Sequence, residues 1–225
     1  MTASLTIAID GPAASGKTVV GRMLARQLGC RFLDTGLMYR AITWAALEVC
    51  INPRDAKKLG RLAQEQPVEV RFQEDGQVAV LVGGRDATLH LRDPRVEQAV
   101  SQVSQAAGVR DALVASQRRL AQDGPIVMAG RDIGTVVLAD ALVKVFLTAS
   151  VRERARRRHA ELEAQGDQTT YEEVLADLQR RDKVDSERKL SPLRPAADAQ
   201  VVVTDGMDVE QVARFLMALV ARRRL

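Results

Sequence analysis

The run Gly11-Pro12-Ala13-Ala14-Ser15-Gly16-Lys17-Thr18 reads G-x-x-x-x-G-K-T without a mismatch. Glycines at this spacing let the backbone curl so that successive N–H groups face inward at phosphate oxygens. The start of a following helix adds a positive dipole end. In such a loop Lys17 reaches the β- and γ-phosphates, and the Thr18 hydroxyl is a ligand for Mg2+. The chemistry is the grip and polarisation of a nucleotide. The alternative is a glycine-rich turn feeding an ordinary helix. The flanks favour the phosphate loop: Leu5 to Ile9 is an apolar run of strand type, and Val20, Met23, Leu24 and Leu28 repeat at helical spacing.

Phosphoryl transfer asks little covalent help of a protein. It needs a held donor, Mg2+ and cations around an acceptor phosphate. Arginine suits the last task because its planar fork takes phosphate in two places. Arg40, Arg131, Arg181 and Arg188 are the candidates. Arg131 stands at a strand end beside Gly130. For Arg40 a solvated helix face is an equal alternative, and Arg181 and Arg188 lie in a mixed-charge run that usually means a solvated helix. Residues 152–158 hold five arginines, with Arg154, Arg157 and Arg158 spaced for one face. Interleaved Glu153, Glu161 and Glu163 speak against a nucleic-acid surface and for a mobile lid that delivers arginines to the transferring phosphate and excludes water.

These residues need a frame. The chain has 225 residues, 46% of them hydrophobic but only 3% aromatic, so Ala, Val, Leu and Ile must build the core. That suits one α/β domain with a sub-domain inserted. The net charge of +4 fits a small anionic substrate as well as it fits nucleic acid. There is no apolar run of about 18 residues, no signal-peptide pattern, and Cys30 and Cys50 read as two thiols in a reducing cytoplasm. His90 and His159 read as surface residues rather than metal ligands.

Strand-type runs alternate with helical ones, predicting a parallel sheet with helices on both faces. Helices are expected over 37–50, from Pro94 to about Ala107 with a break at Gly108, and on to Gln122. Strands are expected at 31–33, 125–129, 142–147 and 201–203. Ser150 and Thr170 have capping-box form, and Asp208 starts a closing helix. Val68 to Phe72 alternates, Asp75-Gly76 signals a turn, Val78 to Val82 resumes strand character, and 87–91 is a candidate third strand. Residues 52–92 therefore read as an inserted antiparallel sub-domain. Ligands in parallel sheets bind at C-terminal strand ends. Gly11 to Thr18, Asp34-Thr35 and Gly130-Arg131-Asp132 all fall at such ends.

Taken together, these segments resemble the bacterial cytidylate kinases. The matches are Ile9-Asp10-Gly11-Pro12, Leu33-Asp34-Thr35-Gly36 with Tyr39-Arg40, Ser101 before Val109-Arg110, and Gly130 to Val137. Arg180-Arg181-Asp182 through Asp185 and Arg188, then Pro192-Leu193 and Ala196 to Ala199, complete a set that covers essentially the whole chain. The resemblance implies a five-stranded parallel sheet of P-loop nucleoside monophosphate kinase type. Its core would be residues 1–51, 93–149 and 190–225, with an antiparallel-β acceptor-side sub-domain at 52–92 and an arginine-rich helical lid at 150–189, all in one kinase domain. It implies ATP as donor, held by Gly11, Pro12, Ala13, Ala14, Ser15, Gly16, Lys17 and Thr18 with Arg154 and Arg157 of the lid, and Mg2+ near Thr18. Arg40, Arg131 and Arg188 would hold the CMP phosphate, with Thr35, Tyr39 and Gly130 lining the acceptor site. Ser101, Arg110 and Asp132 would read cytosine, whose amino group suits Asp132 and whose carbonyl and N3 suit Arg110. Arg181 and Asp185 would take the ribose, in a way that admits both CMP and dCMP. Lys17, Arg131, Asp132 and Arg188 would carry the catalysis. A monomer is the family expectation, with no nucleic-acid or membrane partner. Two departures stand out: the family commonly has Asp where Ala129 stands, leaving Asp34 to order the Mg2+ waters, and often Ser where Thr35 keeps the hydroxyl.

Other acceptors fit less well. A shikimate kinase would be shorter and want a carboxylate at Gly36. A thymidylate kinase would want an Asp-Arg-Tyr segment after its third strand. UMP remains an alternative acceptor. A nucleotide switch would lack the paired acceptor arginines, and an RNA-binding module would leave the phosphate loop unused.

Overall fold

In the computed structural model, which describes residues 5–74 and 76–224, five strands form one sheet of order β2-β6-β1-β7-β8. These are β1 (Thr6–Asp10), β2 (Arg31–Asp34), β6 (Ile126–Gly130), β7 (Val143–Thr148) and β8 (Gln200–Val203). β7 pairs parallel with both β1 and β8, with Ile9 opposite Val145 and Leu147 opposite Val202. β1 and β6 are almost wholly buried and carry unbroken apolar runs, as central strands covered on both faces must. A second sheet is antiparallel, of order β3-β4-β5, from β3 (Val68–Phe72), β4 (Val78–Val82) and β5 (Arg85–Asp86). Asp75 of the expected turn lies outside the described residues.

The chain divides into two compact units. One comprises Leu5 and residues 31–126; the other comprises residues 6–30 and 127–224.

The 31–126 unit holds α2 (Gly36–Glu48), α3 (Ala56–Glu65), α4 (Pro94–Val103) and α5 (Ala107–Gln122). α2 is buried almost all round from Met38 to Ala46, so the expected single apolar face understates it, and Val49 is exposed beyond its end. Two other expectations are corrected. The third strand is Arg85–Asp86, while Thr88–His90 forms a single 3-10 turn. The helix break falls at 104–106, and Gly108 lies inside α5. The glycine is there for space: a Cβ on Gly108 would lie 2.8 Å from the Gly60 Cα, where α3 and α5 meet backbone to backbone. The expected antiparallel sub-domain at 52–92 opens instead on a helix: Asp55 caps the Lys58 amide, and Leu59, Leu62 and Ala63 bury one stripe of α3. Trp44 is the one tryptophan. It is 7% exposed, its ring stacked on His90 at 5.1 Å with the Arg85 guanidinium 4.9 Å from it.

The other unit holds α1 (Lys17–Leu28), α6 (Val151–Glu163), α7 (Tyr171–Glu187) and α8 (Val209–Arg224). Thr170 and Glu173 close a full capping box on α7, and Ser150 caps the Glu153 amide of α6. α6 and α7 share an apolar cluster of Ala155, Val174 and Leu178, against which Ala13 and Ala14 of the phosphate loop pack. The expected lid thus rests on the loop in this structure. Neither cysteine is in a disulfide, and no helix among the described residues is long and apolar enough to cross a membrane.

Candidate functional site

The phosphate loop joins β1 to α1 as its motif requires. Gly11 has φ +150°, and a Cβ there would sit 2.0 Å from the Leu147 carbonyl oxygen. Only glycine passes that point. Ala14 and Gly16 are also in the left-handed region, which curls the loop into a concave nest. Gly16 caps α1 without offering a side-chain acceptor to its first amides. Helices α3, α4, α6 and α7, by contrast, are capped by Asp55, Asp93, Ser150 and Thr170. An uncapped helix start preceded by a nest suits a phosphate. Lys17 is buried, and its ammonium donates to the Pro12 carbonyl and to Ser15 Oγ at 3.2 Å, so it is already folded over the loop.

Asp10 ends β1 immediately before this loop. Its Oδ1 accepts the Ile133 amide and its Oδ2 the Gly134 amide, each at 2.7 Å. Burial pushes its carboxyl up from 3.8 to about 6, against the two amides, with Asp132 adding to the rise and Lys17 opposing it. The shift has a sign for stability. It favours the folded state at low pH, and that advantage is lost as the pH rises through about 6.

Past β6 the chain runs through Arg131 and Asp132 into a π-helical turn at Ile133–Val137. Arg131 Nε donates to Asp185 Oδ2 at 2.8 Å, and the Arg188 guanidinium approaches Asp132 at 3.7 Å, both of the latter pair being almost wholly buried. Arg188 Nε also donates to the Ser191 carbonyl. Sequence spacing favoured a solvated helix for Arg188; in fact it closes α7 and is 8% exposed. Arg181 pairs with Asp177 at 2.7 Å on its own helix.

The lid arginines diverge. Arg154 is buried, donates to the Ala13 carbonyl of the phosphate loop at 3.1 Å, and grips the Asp182 carboxylate with both terminal nitrogens. Arg157 is turned toward Thr204 and Glu153, and Arg158 pairs with Glu161. Arg156 and Arg157 together hold the Glu153 carboxyl down to about 2.

In the 31–126 unit, Arg40 lies over Gly36, where a Cβ would meet its guanidinium at 2.8 Å. Arg40 Nε donates to Glu97 of α4 at 2.8 Å. Asp34 Oδ1 accepts the Gly36 amide at 3.0 Å, and Thr35 stands at the N-cap of α2. Tyr39 projects from the same helix. The Arg110 guanidinium is 5.7 Å from the Tyr39 ring, and Arg110 also donates to the Ser104 carbonyl. The Ser104 hydroxyl in turn donates to the Ser101 carbonyl. Arg40 and Glu97 form one group, and Tyr39, Ser101 and Arg110 another.

The partners of these residues were missed from sequence. Glu97 carries a weak signal, as an acid in the first turn after Pro94, whereas nothing in the spacing of Asp182 links it to Arg154. No group of three or more His, Cys, Asp or Glu that could hold a metal occurs among the described residues. Thr18, at the loop's end, therefore fits Mg2+ only as one ligand beside water and phosphate oxygens, which is how Mg2+ is usually held.

A family model described as "Cytidylate kinase" matches residues 7–222. A cytidylate kinase of Mycolicibacterium paratuberculosis is 50% identical over 224 residues, spanning 99% of this chain and 98% of that protein. One from Pelotomaculum thermopropionicum is 44% identical, spanning 97% and 96%. Among solved structures, a gluconokinase of Sinorhizobium meliloti covers 99% of this chain and 94% of its own at TM-score 0.51 and 15% identity, a likeness of fold alone.

Proposed function

The chain belongs to the cytidylate kinase family, and from that premise we propose that it moves the γ-phosphoryl group of ATP directly, in line, onto CMP and dCMP in pyrimidine nucleotide metabolism. The observation that supports this reading best lies in the unit of residues 6–30 and 127–224. There the phosphate loop, Asp10, and the pairs Arg131–Asp185 and Arg188–Asp132 are linked by short contacts. On this reading the residues assigned to the donor and the cations Arg131 and Arg188 assigned to the acceptor lie at neighbouring strand ends of one unit.

Bound Mg-ATP supplies the transferable phosphoryl group and part of its charge neutralisation. The backbone amides of residues 13–18 and Lys17 would hold its phosphates, with Thr18 a ligand for the metal. Arg154 is the lid arginine assigned to them, given its contact with Ala13; Arg157 needs a rotamer change to join it. Arg131 and Arg188 hold the acceptor phosphate, and Arg40 is assigned to the same group. Asp132 accepts the cytosine amino group, while Arg110 and Ser101 read the rest of its edge, with Thr35, Tyr39 and Gly130 lining the site. Asp185 and Arg181 take the ribose. The carboxylates now paired with Arg40, Arg131 and Arg188 keep those cations ordered, and substrate groups then replace or join them. Closure of 52–92 and of the 150–189 lid over the substrates excludes water. A monomer in the cytoplasm with no macromolecular partner belongs to the same proposal.

A coupled ADP-release assay with Mg-ATP and CMP, dCMP, UMP, AMP, dTMP or no acceptor tests it. ADP release is expected with CMP and dCMP and much less with UMP, and Asp132→Ala should erode that preference by about tenfold or more. Equal turnover of UMP would discard the base-reading residues. Release without any acceptor would make the chain a nucleotide hydrolase.

A further inference from the structure

We propose that Asp10 is a positioning residue, whose buried carboxylate, by accepting the Ile133 and Gly134 amides, fixes the turn that presents Arg131 and Asp132 relative to the start of the phosphate loop. Asp10 touches neither nucleotide in the reaction above; it acts through the backbone of both groups that do. The inference rests on the proposed reading of Asp132 as a contact to the acceptor base.

Three observations carry it. First, two successive amides meet two coplanar oxygens of one side chain at 2.7 Å each. Only a carboxylate offers two acceptors in that arrangement, since an asparagine would turn an N–H toward one of the amides. Second, the slot has no slack. A Cβ on Gly134 would lie 3.3 Å from Asp10 Oδ2 and 3.3 Å from the Lys144 stem, and Gly11, the next residue along, is pressed against the Leu147 carbonyl. Third, the group is 4% exposed, and no cation is bonded to it among its described contacts. Asp132 and Lys17 act on it through space, and the Lys144 ammonium is held by Asp198. A buried carboxylate with no ion-pair partner among the described residues is a poor stabiliser, and its place at a strand end beside the site points to function.

Asp10→Asn in the full chain is the test, with steady-state kinetics for CMP, UMP and ATP and thermal melting followed by circular dichroism. The KM for CMP should rise by about tenfold or more, and the preference for CMP over UMP should fall, while the KM for ATP changes by less than about threefold. An unchanged CMP preference in a folded variant would overturn the proposal, as would equal effects on CMP and ATP. A second measurement serves if the variant does not fold: amide resonances of Arg131, Ile133 and Gly134 followed in the wild-type chain from about pH 7.5 to 5. It is made without nucleotide, because a nucleotide's phosphate titrates in the same range. The three should shift together with a midpoint near 6, and immobile resonances would overturn the clamp. If the wild-type chain shows no CMP-dependent ADP release, the base-reading assignment fails, while the amide titration still judges the clamp.

Discussion

The phosphate loop and the strand end leading into it are shaped by main chain: Gly11 against a carbonyl, Asp10 across two amides, Gly16 at an uncapped helix start. The 31–126 unit holds its groups by side chains: Glu97 on Arg40, Tyr39 beside Arg110, and the Arg40 guanidinium over Gly36. A main-chain device has fixed geometry and tolerates almost no change of shape. A side-chain device can be retuned one residue at a time, which suits a surface that must distinguish one acceptor from another. Phosphate is the same in every nucleotide, so a main-chain loop of fixed shape suits it.

Substitutions can break this contrast. The largest effect is expected for Gly11→Ala, which drives a methyl into the Leu147 carbonyl and should cost about 4 kcal/mol or more, seen as loss of cooperative melting. Its companion Gly16→Ala has open space and only a φ of +89° against it, so it should cost about 1–2 kcal/mol while raising the KM for ATP. In the 31–126 unit, Gly108→Ala forces α3 and α5 apart and should lower stability by about 2 kcal/mol with little change in the KM for ATP. If Gly108→Ala proved costlier than Gly11→Ala, the contrast would be misdrawn. The smallest effect sharpens it. Arg40→Lys keeps the charge but loses the planar fork, and should raise the KM for CMP about tenfold, or about 1.4 kcal/mol, with Tm nearly unchanged.

The same contrast explains what could be read from sequence. The phosphate loop is a spacing requirement on backbone, and glycines advertise it. The helix caps at Ser150 and Thr170 are local for the same reason: Thr170 closes its full capping box, while Ser150 caps the Glu153 amide and the Glu153 carboxylate turns to Arg156 and Arg157 instead. Gly108 misled because its purpose lies in Gly60, 48 residues away in the chain, so a packing glycine looked like a helix break. Helix α3 was missed although Asp55 and the Leu59, Leu62, Ala63 stripe were available; its lysines hid the pattern. Arg188 illustrates the limit. Its neighbours in sequence are charged and exposed, while its burial comes from Asp132 and the Ser191 carbonyl, partners that local periodicity cannot supply. For the 31–126 site residues, only the family resemblance pointed to Ser101 and Arg110.

The stack of His90 on the single tryptophan, Trp44, gives the molecule an optical label confined to one of its units. Indole emission, excited at the red edge to exclude the two tyrosines, reports on residues 31–126 alone, whereas far-ultraviolet dichroism sums every helix in the chain. Denaturation curves from the two signals will superimpose only if both units melt as one cooperative body. A gap between them would measure, without any engineered probe, how far the 31–126 unit loosens before the rest of the chain lets go.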